Sequence, residues 1–224
     1  MDKVDLRTVY PELYSPPREL VQVVVPPLRY LQIDGEGDPN TAPAYQEAVG
    51  ALFPLAYALK FASKKNLGQD FVVGPLEGLW TAADPGAFVR REKDAWSWTL
   101  MILQPDWLTD GFVADVAEAT RRKKGLPALD RVRFVTYDEG EAVQVLHVGP
   151  YDDEAPTLAR LHEEYLPAHG LTFNGPHHEI YLSDARRTAP ERLRTVLRQP
   201  VRPVDAPDVS EGGRPGARAG SDAR

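Results

Sequence analysis

The chain has 224 residues, of which 42% are hydrophobic, 26% charged and 9% aromatic. That balance suits one large domain or two small modules sharing a core and excludes disorder over the whole length; no stretch approaches the ~20 apolar residues of a membrane span. With 26 Lys and Arg against 33 Asp and Glu the formal net charge is −7, so a chain-wide attraction for nucleic-acid phosphate is missing. The absence of cysteine removes disulfides, thiol catalysis, thiolate zinc sites and iron-sulfur clusters together. Met1 to Asp5 carry no apolar signal segment, and a cytoplasmic address is the expectation.

In chain order, Tyr10, Pro11, Tyr14, Pro16 and Pro17 suggest an extended arm laid over the fold. Strands are predicted over 20–25 and, after Pro26 and Pro27, over 28–33. Gly35 and Gly37 then turn the chain into a helix over about 41–62, where Pro54 predicts a kink or a late start. Strands follow at 71–73, 76–81 and 96–103. A connecting helix over 110–124 presents Phe112, Val113, Val116 and Thr120 on one side. Arg121 to Lys124 suit its negative end and Gly125 stops it. Segments 131–137 and 142–148 read as a hairpin through Glu139 and Gly140, followed by a helix over 153–169 capped by Gly170 and strands at 178–182 and 193–199. From Asp205 to Arg224 the chain has only one large aliphatic residue and no aromatic, too little to repay its ordering entropy, and reads as a disordered tail.

The order strand, strand, helix, strand, strand occurs twice, and its punctuation recurs. Gly74-Pro75 matches Gly175-Pro176, and Gln104-Pro105 matches Gln199-Pro200. Two tandem modules follow, about 20–104 and 131–203, joined by the helix at 110–124 within one domain of residues 1–204. The fold class is α+β: a pseudo-symmetric pair of antiparallel sheets with helices on one face and a central pocket at the seam.

Candidate chemistry centres on His177-His178-Glu179-Ile180-Tyr181-Leu182. Alternation on a strand puts Glu179 and Tyr181 on one face, with Ile180 and Leu182 expected to face the helix. A carboxylate beside a phenol in an apolar pocket would have its pKa raised and would recognise a cation or a proton donor; on an exposed sheet edge it would do neither. Trp80, Trp96, Trp98 and Trp107 all fall in or after first-module strands, with Tyr30, Tyr45 and Tyr57 nearby. Aromatic walls suit flat or cationic ligands, although aromatics in a sheet also serve as plain core. Glu77, in Pro75-Leu76-Glu77-Gly78-Leu79-Trp80, is the first-module counterpart of the Glu179 region, or else a turn carboxylate. Asp34 to Asn40 lack the ligand spacing of a calcium loop and read as a turn into a helix. His177 and His178 point to opposite faces, and His162-Glu163 lacks the second histidine of a zinc-protease motif. No metal or cofactor is expected. Nucleophile elbow, phosphate loop and dinucleotide fingerprint are absent from the sequence.

The duplicated plan, with Leu31 to Pro39 early, Pro75 to Trp80 in the middle, and His147 to Tyr151 with Glu179 to Tyr181 late, resembles the GyrI-like small-molecule-binding proteins over roughly residues 20–203. Nothing resembles a DNA-binding domain, so the resemblance is to the stand-alone form. It implies a central pocket like that of the effector-binding domains of MerR-type multidrug regulators, where a buried Glu meets drug-like cations. By position that Glu is Glu179, with Tyr181 beside it. The Pro-Leu-Glu-Gly-Leu-Trp and Trp-Ser-Trp stretches resemble the cyclopropanoid cyclopropyl hydrolases, which open the strained ring of DNA-alkylating natural products in an aromatic cage. That implies a metal-independent hydrolase with Glu179 and Tyr181 as catalytic residues and Trp80, Trp96, Trp98, Tyr57 and Glu77 around the ligand. The alternatives are a drug-binding or sequestering protein without turnover, or a sensor partnered with another protein such as DNA gyrase or a regulator. The expected partner is a planar aromatic, cationic or electrophilic small molecule, not nucleic acid or membrane; no protein partner can be named.

Overall fold

The computed structural model describes residues 3–84 and 92–206. Of the expected tail only Asp205 and Ala206, which form a turn, fall inside them. The described residues form one curled antiparallel sheet of nine strands: β1 (Val21–Val25), β2 (Leu28–Glu36), β3 (Glu77–Ala82), β4 (Trp96–Gln104), β5 (Arg133–Tyr137), β6 (Gly140–Val148), β7 (Leu171–Phe173), β8 (His177–Tyr181) and β9 (Arg194–Pro203). Phe71 makes only an isolated bridge with Val4 where a strand was expected, and β7 is an addition.

Across the sheet the order is β1-β6-β9-β8-β3-β4-β2-β5, with β7 also beside β9. Along that path each half holds three strands of one module and one edge strand from the other, and β7 adds a further second-module strand beside β9. β1 pairs with β6 from Val21↔Gln144 to Val25↔Gly140, while β5 pairs with β2 from Leu28↔Tyr137 to Gln32↔Arg133. The expected hairpin between 131–137 and 142–148 does not form. Gly140 (φ 70) does turn the chain, but the buried Glu139 is held by His178 and Arg198, which seats the start of β6 beside β9 and sends β5 away to β2. The halves join where β3 pairs with β8, Gly78 opposite Glu179 and Trp80 opposite His177. What was expected as a pair of sheets is thus continuous.

Helix α3 (Pro43–Ala62) buries Ala48, Ala51, Leu52, Leu55, Ala56 and Leu59, an i, i+3, i+4 stripe, over Leu31, Ile33, Trp98, Leu100 and Ile102 of β2 and β4. Pro54 lies within it without ending it; a π-helical turn, Ser63–Leu67, follows and stops at Gly68 (φ 68). The connecting helix α4 spans Asp110–Lys124 as its sequence signals imply. Thr109 Oγ1 accepts from the Phe112 N–H at 3.3 Å and Gly125 takes the left-handed C-cap. In the second module α5 (Ala155–Ala159), a π-helical turn (Arg160–Tyr165) and α6 (Leu166–Ala168) replace the single predicted helix, packing Leu161 and Leu166 against Val143 and Val201.

The opposite face of the sheet is covered by the N-terminal arm, which forms two single-turn helices, α1 (Leu6–Val9) and α2 (Pro11–Tyr14), rather than an extended run. Pro11 in the first turn of α2 is the reason, since its fixed φ suits a helix start. Leu6, Leu13 and Tyr14 pack on Tyr30, Leu79, Met101, Leu103, Ile180 and Val196. Ile180 therefore faces the arm, and Glu179 and Tyr181 face the helices, the reverse of the expected assignment.

Candidate functional site

Strand alternation and register build the site. On β8, His177, Glu179 and Tyr181 share the helix-bearing face; pairing lays Gly78 and Trp80 of β3 beside them, and Trp98 and Trp96 of β4 next in line. An acidic strand from the second module thus meets indoles from the first.

Trp80 Nε1–H donates to the Tyr181 hydroxyl at 3.1 Å. The Tyr181 hydroxyl in turn steadies the ionised Glu179. Gly78 leaves room for this contact: a Cβ there would lie 2.9 Å from Trp80 Nε1 and 3.4 Å from the Tyr181 oxygen. Tyr45 of α3 stacks on Trp80 with centroids 6.5 Å apart and meets Trp98 edge-on at 5.3 Å; Trp96 meets Trp80 edge-on at 5.7 Å, and Tyr151 meets Tyr181 the same way at 5.7 Å. Lys93 Nζ lies 5.9 Å over the Trp96 ring and 4.0 Å from Asp152 Oδ1, spanning the two modules above the rings.

The Glu179 side chain is 17% exposed, so it does not project into bulk solvent. Burial pushes its pKa up, against the opposing pull of the Tyr181 hydroxyl and the His178 charge. Glu154, at the N-cap of α5, is 5% exposed; burial and then the Glu179 charge push it up as well. Burial therefore holds both carboxyls above the ordinary carboxylate range, and the Glu179 charge adds to the rise at Glu154. Burial pushes His177 down to about 3, leaving it neutral. Tyr151 is pushed up to about 12, by burial first and then by Glu154 and Glu179.

Of the residues singled out by sequence, Glu179, Tyr181, Trp80 and Trp96 come together. Trp98 stands behind them, 2% exposed, its Nε1–H donating to the Gly37 carbonyl at 3.2 Å. Two do not join. Tyr57 is 47% exposed on the outer side of α3, stacked on Phe61, because the buried stripe of α3 turns it away. Glu77 lies on the arm face, fully buried, accepting from the Tyr14 hydroxyl at 2.6 Å and bonded to His178 Nε2 at 3.0 Å. His178 Nδ1 reaches Glu139 at 2.9 Å, and Arg198 donates to Glu139, Gln144 and the Leu13 carbonyl at 2.8–3.0 Å. This charge cluster anchors the arm. The residues without a sequence-based role are Tyr45, Tyr151 and Glu154; Tyr45 lies in phase with the apolar stripe of α3, a signal available in the sequence.

Among the described residues two open recesses stand out, neither lined by Glu179. One, about 550 Å³, runs along Asp34, Glu36, Thr81, Ser97, Thr99 and Arg131; the other, about 420 Å³, lies by Leu20, Arg160, Tyr165 and His169. Over Glu179 the aromatic rings close on one another, and Tyr151, 40% exposed, forms the rim. Among the described residues no group of three or more His, Asp or Glu is placed to hold a metal ion, and no helix is long and apolar enough to cross a membrane.

The duplicated half-barrel, with its aromatic-lined carboxyl pair at the module junction, defines a small-molecule-binding domain. A family model described as the GyrI-like small molecule binding domain matches residues 19–202, and the chain belongs to that family. No curated protein matches it. Among solved structures it is similar to an uncharacterized conserved protein from Listeria innocua (37% identity, 89% of this chain and 100% of that one, TM-score 0.83). It is also similar to two structures named as Listeria innocua hydrolases. One has 38% identity, covering 90% of this chain and 100% of the other, with a TM-score of 0.80. The second has 36%, 89%, 100% and 0.79.

Proposed function

We propose that this protein binds planar aromatic, cationic or electrophilic small molecules at the rim that Tyr151 forms beside the rings of Tyr45, Trp80 and Trp96, and hydrolyses a strained cyclopropane ring of the kind carried by DNA-alkylating natural products. The role would be detoxification or self-protection. The observation that carries this reading is the buried Glu179 carboxyl beside Tyr181 within the aromatic frame, with a second buried carboxyl, Glu154, whose pKa the Glu179 charge helps to raise. The hydrolase names of similar Listeria innocua proteins support it.

The chemistry asks little of the protein. In a cyclopropane conjugated to a dienone, ring opening needs proton donation at the carbonyl and a water placed at the strained carbon. Glu154, protonated, donates; Glu179, ionised, takes the proton of the water; Tyr181 orients Glu179, and the rings hold the flat ligand by stacking. The positioned acid or base contributes roughly 10²- to 10⁴-fold.

The test is to incubate the protein with a cyclopropane alkylator and follow the ring-opened product by mass spectrometry, beside Glu179→Gln. Loss of turnover in the variant with binding retained supports the mechanism; equal turnover removes Glu179 from it. Intact ligand recovered from stoichiometric complexes identifies a binder without turnover.

A further inference from the structure

Folded proteins leave few buried polar atoms without a partner. Here a pair of neighbouring histidines beside Glu179 carries such atoms. His162 Nε2 and both ring nitrogens of His177 are buried without a hydrogen bond. Thr195 stands opposite Tyr181 on β9, and His162 projects from the π-helical turn to within 6.4 Å of the His177 ring. The two histidines therefore lie at the His177 end of β8, two residues from Glu179, and Thr195 at its Tyr181 end. His177 Nε2 stands 3.7 Å from Glu179 Oε1, too far for a direct bond and a separation that one bridging water spans.

We propose that His177 is a further catalytic residue, holding with Glu179 the water that opens the ring; this rests on the hydrolytic reading above. Neutral His177 accepts one O–H of that water through Nε2 while the Glu179 carboxylate takes the other. As the oxygen bonds to the ring methylene, the ring C–C bond breaks and its electron pair passes into the dienone, generating a phenolate. That phenolate takes the proton of Glu154, and the proton lost by the water ends on Glu179. The product is the substrate plus one water, and transfer of the Glu179 proton to Glu154 resets the pair. His162 borders the His177 ring.

Two measurements test this. A crystal structure of the ligand-free protein, at a resolution that shows solvent, is expected to hold a water within hydrogen-bond distance of His177 Nε2 and Glu179 Oε1; an empty gap overturns the proposal. With a spirocyclopropyl cyclohexadienone as probe, His177→Phe is expected to lower kcat about 100-fold with KM within about 3-fold, and His177→Gln, which keeps an acceptor, to fall between it and the parent. Should the Phe variant fail to fold, the Gln variant decides. Ring opening that needs Glu179 but proceeds within about 2-fold of the parent without His177 overturns this inference alone. A parent protein that leaves the probe intact overturns the hydrolytic reading and this inference with it.

Discussion

Raising the pH from 6.5 to 9.5 is expected to cost this protein stability through one buried side chain, His178. Burial alone would lower its pKa, but the Glu139 charge and hydrogen bonds to Glu139 and Glu77 outweigh it and hold the value at about 9 against an ordinary 6.5. A proton bound more tightly in the folded than in the unfolded chain stabilises the fold. That contribution is whole below 6.5 and is lost as pH rises through about 9. At about 1.4 kcal/mol per pH unit the difference is on the order of 3 kcal/mol, which for a chain of this size shifts Tm by about 6–12 °C. Glu154 and Glu179, also raised, act in the same direction, so the measurement belongs in a Glu154→Gln/Glu179→Gln background. Denaturant midpoints taken in steps from pH 6.5 to 9.5 should fall there too. A flat profile in that background would show that His178 is neutral in the native state and would refute the reasoning about the buried cluster.

Arg198→Met removes one cation from the same cluster and strands Glu139 and the Leu13 carbonyl; a loss of about 3–5 kcal/mol is expected by chemical denaturation. Gly35→Ala would set a Cβ 2.1 Å from a Trp98 ring carbon, and the displaced indole is expected to cost about 1–3 kcal/mol in the same assay. Tyr45→Leu should weaken binding of a planar acridinium cation about 2- to 12-fold by Trp fluorescence quenching, whereas Tyr57→Ala should leave it unchanged; an equal effect of both would misplace the binding face.

What the sequence disclosed was local. The bounds of α4 follow from Thr109, the basic last turn and Gly125, all within a few residues of the ends they set. Alternation along β8 correctly grouped Glu179 with Tyr181, and register brought Trp80 to them. Which face of that strand would meet helices was not legible, because the answer depends on where Leu6, Leu13 and Tyr14 of the arm settle, far away in sequence. The same distance hid the fate of Glu77: its partners Tyr14 and His178 are 63 and 101 residues away. Tyr57 was a different kind of error. Helical phase excludes it and includes Tyr45, so the periodicity of α3 held the answer that aromatic content alone obscured.

The exchange of edge strands, β1 to the far module and β5 to the near one, makes the two halves interlocked rather than merely adjacent. Cleavage within α4 would not release two self-sufficient units: each fragment would carry one strand with no seat and one sheet margin with bare backbone groups. Since β2 is the counterpart of β6, a lone first half could shelter its β1 by laying it on the β2 of a second copy. The architecture is that of an intertwined dimer written into a single polypeptide, with the carboxyl-and-indole junction at its pseudo-dyad.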